Sequence, residues 1–250
     1  MKLIALKTVP SSVGQIVSGQ GFNAGDAQGQ ELIRSGHARV DDGTEPAWDG
    51  IQWPGATVVI LASGPSLTVE QCEAVRGWHE ASDDARVIAV NTSFRRAPWA
   101  DVLYACDAPW WKLYIDEVRG CFAGQLWTQD EQAVQAHGIN RVQSLRLPGL
   151  GKRAGTIHQG GNSGYQAINI ACQAGAARII LLGFDHHGTH WHGPYTNGLP
   201  NPSPHLMAMW LRDAAPLAAD LSAAGVEVLN CSPGTALTCF PITNLSEALA

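Results

Sequence analysis

Two hydrophobic rhythms divide the chain. From Thr57 onward, short runs that are apolar at nearly every position alternate with longer stretches whose apolar residues recur at helical spacing. TVVILA (57–62), RVIAVN (86–91), DVLYACD (101–107), RIILLGFD (178–185) and GVEVLNCS (225–232) are the continuous runs. Strands apolar on both faces belong to parallel sheets covered by helices on both sides. SLTVEQCEAVRGWH (66–79) reads as the helix after the first strand, and NSGYQAINIACQAG (162–175) as one capped by Asn162 or Ser163 and stopped at Gly175. PHLMAMWLRDAAPLAADLSAAG (204–225) is a long helix expected to kink or break near Ala215, because Pro216 has no backbone donor. The alternation predicts an α/β domain with a doubly wound, mostly parallel sheet over residues 57–250.

Residues 1–45 follow another pattern. MKLIALK (1–7) reads as a strand and VGQIVSGQGFNA (13–24) as a hairpin with glycine turns. In DAQGQELIRSGHARV (26–40), Asp26 is the expected N-cap, Ala27, Leu32 and Ile33 form a short apolar face, and Gly36 is the stop. This is a small β-rich accessory module with one helix, joined by a linker over residues 46–56. It is too short to hold much of a core alone.

Composition narrows the class. Hydrophobic residues make up 45% of the 250 and charged residues 15%, enough apolar material for a sizeable core. A net charge of −6 argues against broad nucleic-acid binding, which needs a basic face. No apolar run reaches the roughly 18 residues of a membrane span, and the start lacks the pattern of a signal peptide. None of the six cysteines is spaced as CxxC, so reduced thiols in a cytoplasmic protein are expected. Several of the nine tryptophans, in WPG, APWADVLYACDAPWW and HWHG, stand in loop-like surroundings where pocket walls are made.

Ligands of open parallel sheets bind at the carboxyl ends of the strands. That rule selects ASGPSL (62–67), VNTS (90–93), CDAPWW (106–111), GFDHHG (183–188) and NCSPGTAL (230–237), together with the helix start QGGNSG (159–164). The turn at Ser63, Gly64, Pro65 and Ser66 presents backbone N–H groups suited to a phosphate, and so does the helix start at Asn162, Ser163 and Gly164. Neither matches GxGxxG or GxxxxGK[ST], so hydride transfer and ordinary ATP hydrolysis lose support. Asn91 and Asp107 are placed to read a base or ribose.

FDHHGTHWH (184–192) carries four of the nine histidines behind Asp185, with His205 further on. His187 is a candidate phosphate contact, and His190, His192 and His205 are candidate bases. A metal site is a third possibility, but no HExxH or comparable spacing supports one, and no metal ligand is assigned. A solvated polar loop is the fourth.

VVILASGPSL, VIAVNTSFRRAPWADVLYACD, GGNSGYQAINIACQAGAARIILLGFD and GVEVLNCSPGTAL occur in the order and rough spacing of the bacterial sialyltransferases that use CMP-sialic acid. Over about residues 55–240 the chain resembles these, the flagellin glycosyltransferases of the motility-associated-factor type, and an archaeal-type pterin diphosphokinase, which share a Rossmann-like core. It also looks like a group of phage-encoded proteins. The resemblance implies that Gly64, Pro65, Ser66 and Asn91 hold the nucleotide, and that Asn162, Ser163 and Gly164 contact its phosphate and ribose. It makes Asp185 the strand-end aspartate. In the family, phosphate-binding tyrosines and a histidine base occupy the loop after it; here histidines stand at the matching place. Asp107 replaces an asparagine common after the third strand.

The expectation is a glycosyltransferase-like enzyme that takes a nucleotide-activated sugar and an unknown acceptor, without an obligatory metal, with a homo-oligomer and a monomer both left open. Two alternatives stand beside it. One is diphosphate transfer from ATP, with Mg²⁺ held by Asp107 and Asp185. The other is a non-catalytic phage particle or assembly protein that keeps the fold.

Overall fold

The structure is a computed structural model describing residues 1–11, 14–16, 21–41 and 48–250. The amino-terminal part contains β1 (Lys2–Ala5), β2 (Val9–Ser11), β3 (Gly14–Ile16), β4 (Gly21–Asn23), α1 (Asp26–Arg34) and β5 (Ala38–Val40). β1 pairs antiparallel with β4 on one side and β5 on the other, and β2 pairs with β3. The expected hairpin is thus divided, because β3 turns back onto β2 while β4 joins β1; residues 17–20 between them lie outside the described residues. The N-cap of α1 is Gly25, with Asp26 in the first turn. The inner side of α1 carries Leu32 and Ile33, both half-buried, as expected, but Ala27 is exposed and Gly29 stands in its place. Gly29 is its buried position, where a Cβ would stand 2.3 Å from the Met1 sulfur.

The larger part follows as β6 (Thr57–Leu61), α2 (Val69–Ala81), β7 (Ala85–Val90), a 3-10 turn (Asn91–Arg95), β8 (Val102–Tyr104), α3 (Ala108–Cys121), β9 (Gln125–Thr128), α4 (Glu131–His137), β10 (Asn140–Arg141), β11 (Gln143–Leu145), β12 (Thr156–His158), α5 (Ser163–Gln173), β13 (Arg178–Leu182), α6 (Pro204–Ala223), β14 (Glu227–Asn230) and α7 (Leu245–Ala248). Seven strands form one sheet in the order β10-β9-β8-β7-β6-β13-β14, every pair parallel. The chain is a mixed α/β, Rossmann-like fold with a small antiparallel appendage. Among the described residues no helix is long and apolar enough to cross a membrane.

The core splits by strand alternation. Val58, Ile60, Ile88, Ile179 and Leu181 face α5 and α6, whereas Val59, Leu61, Val87, Ile180 and Leu182 face α2 and α3. Both faces are dry, as the continuous apolar runs require. Residues Ser163–Ala171 of α5 are all buried, including Gln166 and Asn169. These two amides are satisfied and act as ties. Asn169 accepts from the N–H groups of Gly151 (2.8 Å) and His158 (3.1 Å), and Gln166 accepts from the Tyr104 hydroxyl (2.5 Å). They fix the segment that leads into the α5 start.

Three expectations are corrected. α6 is helical without interruption from Pro204 to Ala223, with Pro216 inside it, so of the expected kink or break near Ala215 the break does not occur. Trp110 and Trp111 lie on α3 and are buried rather than on a loop. The segment read as a linker is docked over its described part: Ile51 is 2% exposed, Trp48 meets Trp127 edge-on at 5.8 Å, and Trp53 N–H donates to the Ala174 carbonyl.

Candidate active site

The sheet order sets the place. β6 is flanked by β7, reached directly, and by β13, reached only after the chain has run out through β10 and returned. At such a reversal the loops beyond two neighbouring strands leave the sheet in opposite directions and open a crevice. A cavity of about 340 Å³ lies there, within the roughly 300–1,000 Å³ usual for small-molecule sites.

Most expected site residues line it: Ser63, Gly64, Asn91, Asp107, Asn162, Ser163, Gly164, Asp185, His187 and His190. The turn at Gly64, the start of α5 and Asp185 therefore all contribute to one cavity, with the Asp185 carboxyl itself buried and its Oδ2 held by Ser66. Pro65, Ser66, His192 and His205 do not line it. Ser66 instead serves Asp185, donating to Oδ2 from its hydroxyl (2.9 Å) and its N–H (3.3 Å). His205 is exposed in the first turn of α6.

Neighbouring strand ends are stitched together by side chains. The Ser163 hydroxyl donates to Asn91 Oδ1 (3.2 Å) and accepts from the Cys106 N–H (3.2 Å), tying the ends of β7 and β8 to the start of α5. The Ser63 hydroxyl donates to the Val90 carbonyl (3.2 Å). Asn162 caps α5 by accepting from the Tyr165 N–H (2.8 Å). Ser163 and Gly164 belong to the same first turn, whose N–H groups have no intrahelical acceptor. A Cβ on Gly164 would sit 2.9 Å from the Phe184 ring, so glycine lets α5 close on the end of β13. Asp107 precedes α3 without capping it; the Ala108 N–H donates to Asp130 instead (3.2 Å).

Asp185 is 1% exposed, and burial pushes its carboxyl above the ordinary value, partly offset by the Ser66 donors. The histidine loop is shifted the other way. Burial lowers His190 and takes His186 and His192 down to about 4, with Arg95 and Arg96 adding to the effect at His192. These rings are neutral at neutral pH. His190 and His192 stack face to face at 4.9 Å, each also touching Tyr195, but only His190 reaches the cavity. His187 gives its Nε2–H to the Gly234 carbonyl (3.1 Å).

The lining also includes His186 and Trp110, from marked segments, Trp110 being one of the tryptophans expected to make a pocket wall, and Tyr195, Leu199, Met207 and Trp210, from outside them. Tyr195 stands further along the loop after Asp185, and its hydroxyl is hydrogen-bonded to Thr92 Oγ1 at 2.8 Å. Trp110 lay within a strand-end segment already marked. Met207 and Trp210 carried no signal, because an aromatic or thioether on a helix face is ordinarily core. Among the described residues, no group of three or more His, Cys, Asp or Glu side chains is arranged to hold a metal ion. Compared with protein-family models and with curated proteins, the chain matches none.

Proposed function

We propose that the chain binds a nucleotide-activated sugar in this crevice and transfers the sugar to an acceptor hydroxyl. The observation that carries the reading is the convergence of Gly64, Ser163 and Asp185 on one cavity at the reversal of strand order. The first-turn amides of α5 supply donors for a phosphate. Asn91 and Asp107, past the ends of β7 and β8, supply side chains for ribose or base.

His190 is the base of this reading, being the candidate base that lines the cavity. Its neutral imidazole takes the acceptor proton as the acceptor oxygen bonds to the anomeric carbon. The bond from that carbon to the phosphate oxygen breaks, and the electron pair leaves with the phosphate, where backbone N–H groups stabilise the charge. His192 supports His190 from behind by stacking.

A second reading is favoured by one observation: Asp107 and Asp185 both line the cavity, while no Lys or Arg among the described residues does. Under it, the two carboxylates hold Mg²⁺ for diphosphate transfer from ATP. Thermal-shift titration with CMP-, UDP- and ADP-sugars and with ATP, each with and without Mg²⁺, separates the two. Stabilisation by a nucleotide sugar without metal supports the transferase. Stabilisation by ATP only with Mg²⁺ supports the kinase. Stabilisation by none favours a particle or assembly role that keeps the fold.

A further inference from the structure

The charge and shape of the crevice restrict what it takes beside the nucleotide, and the argument rests on the transferase reading above. We infer that the donor's sugar is uncharged, and that His186 holds it by a hydrogen bond against the Trp210 ring.

The first ground is charge. Asp107 and Asp185 line the cavity, and its histidines add no positive charge at neutral pH where burial has lowered them, as at His186 and His190. Arg95 and Arg96 follow β7 but are held elsewhere. Arg95 donates to both carboxylate oxygens of Glu117 (2.6 and 2.7 Å), and Arg96 lies over the Trp191 ring at 3.9 Å. The α5 amides suffice for a phosphate at that helix start, but a second anionic group on the sugar would be desolvated beside carboxylates without a cation.

The second ground is the backbone. Among the described residues, Asn91 (φ 50°) and His186 (φ 55°) are the non-glycine residues in the left-handed region, and both line this cavity. Such a conformation costs on the order of 1 kcal/mol or more, and it concentrates where a side chain must be aimed. Asn91 is explained by its bond to Ser163. His186 has no such explanation within the protein: its Nδ1 is buried and has no hydrogen-bond partner. His186 lines the cavity, and an imidazole whose ring nitrogen has no partner within the protein is complementary to a hydroxyl or amide of a ligand.

The third ground is the wall around it. The His186 ring stands edge-on to Trp210 at 6.3 Å, and Leu206 and Met207 extend the same side of the cavity. An apolar ring wall with one polar nitrogen suits a sugar ring, which presents C–H groups on its face and hydroxyls at its edge.

Calorimetric titration in Mg²⁺ buffer tests this with matched ligands: UDP, UDP-glucose and UDP-glucuronic acid; GDP, GDP-mannose and GDP-mannuronic acid; CMP and CMP-sialic acid. In the series that binds, the neutral sugar is expected to tighten binding roughly tenfold over the bare nucleotide, and the acidic sugar to give no gain. His186→Gln and Trp210→Ala should each erase that gain while leaving the bare nucleotide within about twofold. An acidic sugar binding more tightly than its neutral match, CMP-sialic acid binding more tightly than CMP, or a gain untouched by both substitutions overturns the inference and leaves the nucleotide reading standing. Failure of every nucleotide to bind overturns both.

Discussion

Asp185 Oδ2 occupies the space that a side chain on residue 64 would need: a Cβ built on Gly64 comes within 1.9 Å of that oxygen and 2.4 Å of the Gly183 carbonyl oxygen. The Gly64 N–H donates to that same carbonyl at 2.9 Å. The glycine is therefore required by contact across the switch point between β6 and β13. Gly64→Ala has to push these two strand ends apart. We expect a loss of about 1–3 kcal/mol in urea unfolding, the usual cost of overpacking, with loss of nucleotide binding beyond what the stability change explains. Unchanged stability would mean that the two turns are not in contact.

The same carboxylate separates stability from function. Burial raises the Asp185 pKa, so its contribution to folding is fully present below about 3.8 and is lost as pH rises through the folded value. At neutral pH the ionised group is a burden to the fold. Its Oδ1 is buried without a partner, while Oδ2 is served by Ser66. Asp185→Asn keeps an oxygen for Ser66 and removes the charge. The melting temperature of D185N at pH 7 should equal or exceed that of the parent, and the difference should close as pH falls below about 4. Ligand affinity should drop roughly ten- to a hundredfold, the worth of a hydrogen bond to a charged group. A variant less stable than the parent at pH 7 would show that the carboxylate is structural.

The histidine loop gives the opposite sign. His186 and His192 titrate near 4 in the folded protein against an ordinary value of about 6.5. The unfolded chain binds protons first, so the stability these rings contribute is present above about 6.5 and drains away as pH falls toward 4. Asp185 works against the trend but is one group. Urea midpoints should decline between pH 7 and 4.5, and His186→Asn combined with His192→Phe should flatten that decline. An equal slope in parent and double variant would place both rings in water.

The sheet was legible where strands are apolar on both faces, and obscure where they are not. β6, β7, β8 and β13 stand out because buried parallel strands leave no polar alternation to confuse with helix; β14, at the sheet edge with Glu227 exposed, is marked by Val226, Val228 and Leu229. β9 and β10 were missed: Gln125 is exposed and β10 has two exposed residues, so the sheet edge reads as loop. α3 was hidden by APWW, in which Pro109 sits in the first turn, where its missing N–H costs nothing. The strand-end rule located the polar half of the crevice, because the residues after β6, β7, β8 and β13 must meet once the sheet forms. The apolar half was not legible. Leu199, Met207 and Trp210 reach it through the loop before α6 and the first turns of that helix, and no local pattern states where a helix start will dock. Nor could spacing distinguish His190 from His192: only the fold shows that one lines the cavity and the other stacks behind it.

That distinction is directly testable. His190 lines the cavity with a neutral ring, His192 packs between it, Trp191 and Tyr195, and His205 is exposed on α6. Once a donor and acceptor are found, His190→Gln should retain nucleotide affinity and lose turnover by about 10²–10⁴-fold, the range for removal of a general base. His192→Gln should cost stability, since the variant loses a stacked ring and buries an amide there, while turnover measured well below its melting temperature falls by less than about tenfold. His205→Ala should change neither. The pH profile adds a check independent of amplitude. A base lowered by burial titrates below 6.5, so the acid limb of the parent's turnover profile should have its midpoint below pH 6.5. A profile that breaks at or above 6.5, or a His190→Gln variant with full turnover, would remove His190 from the role.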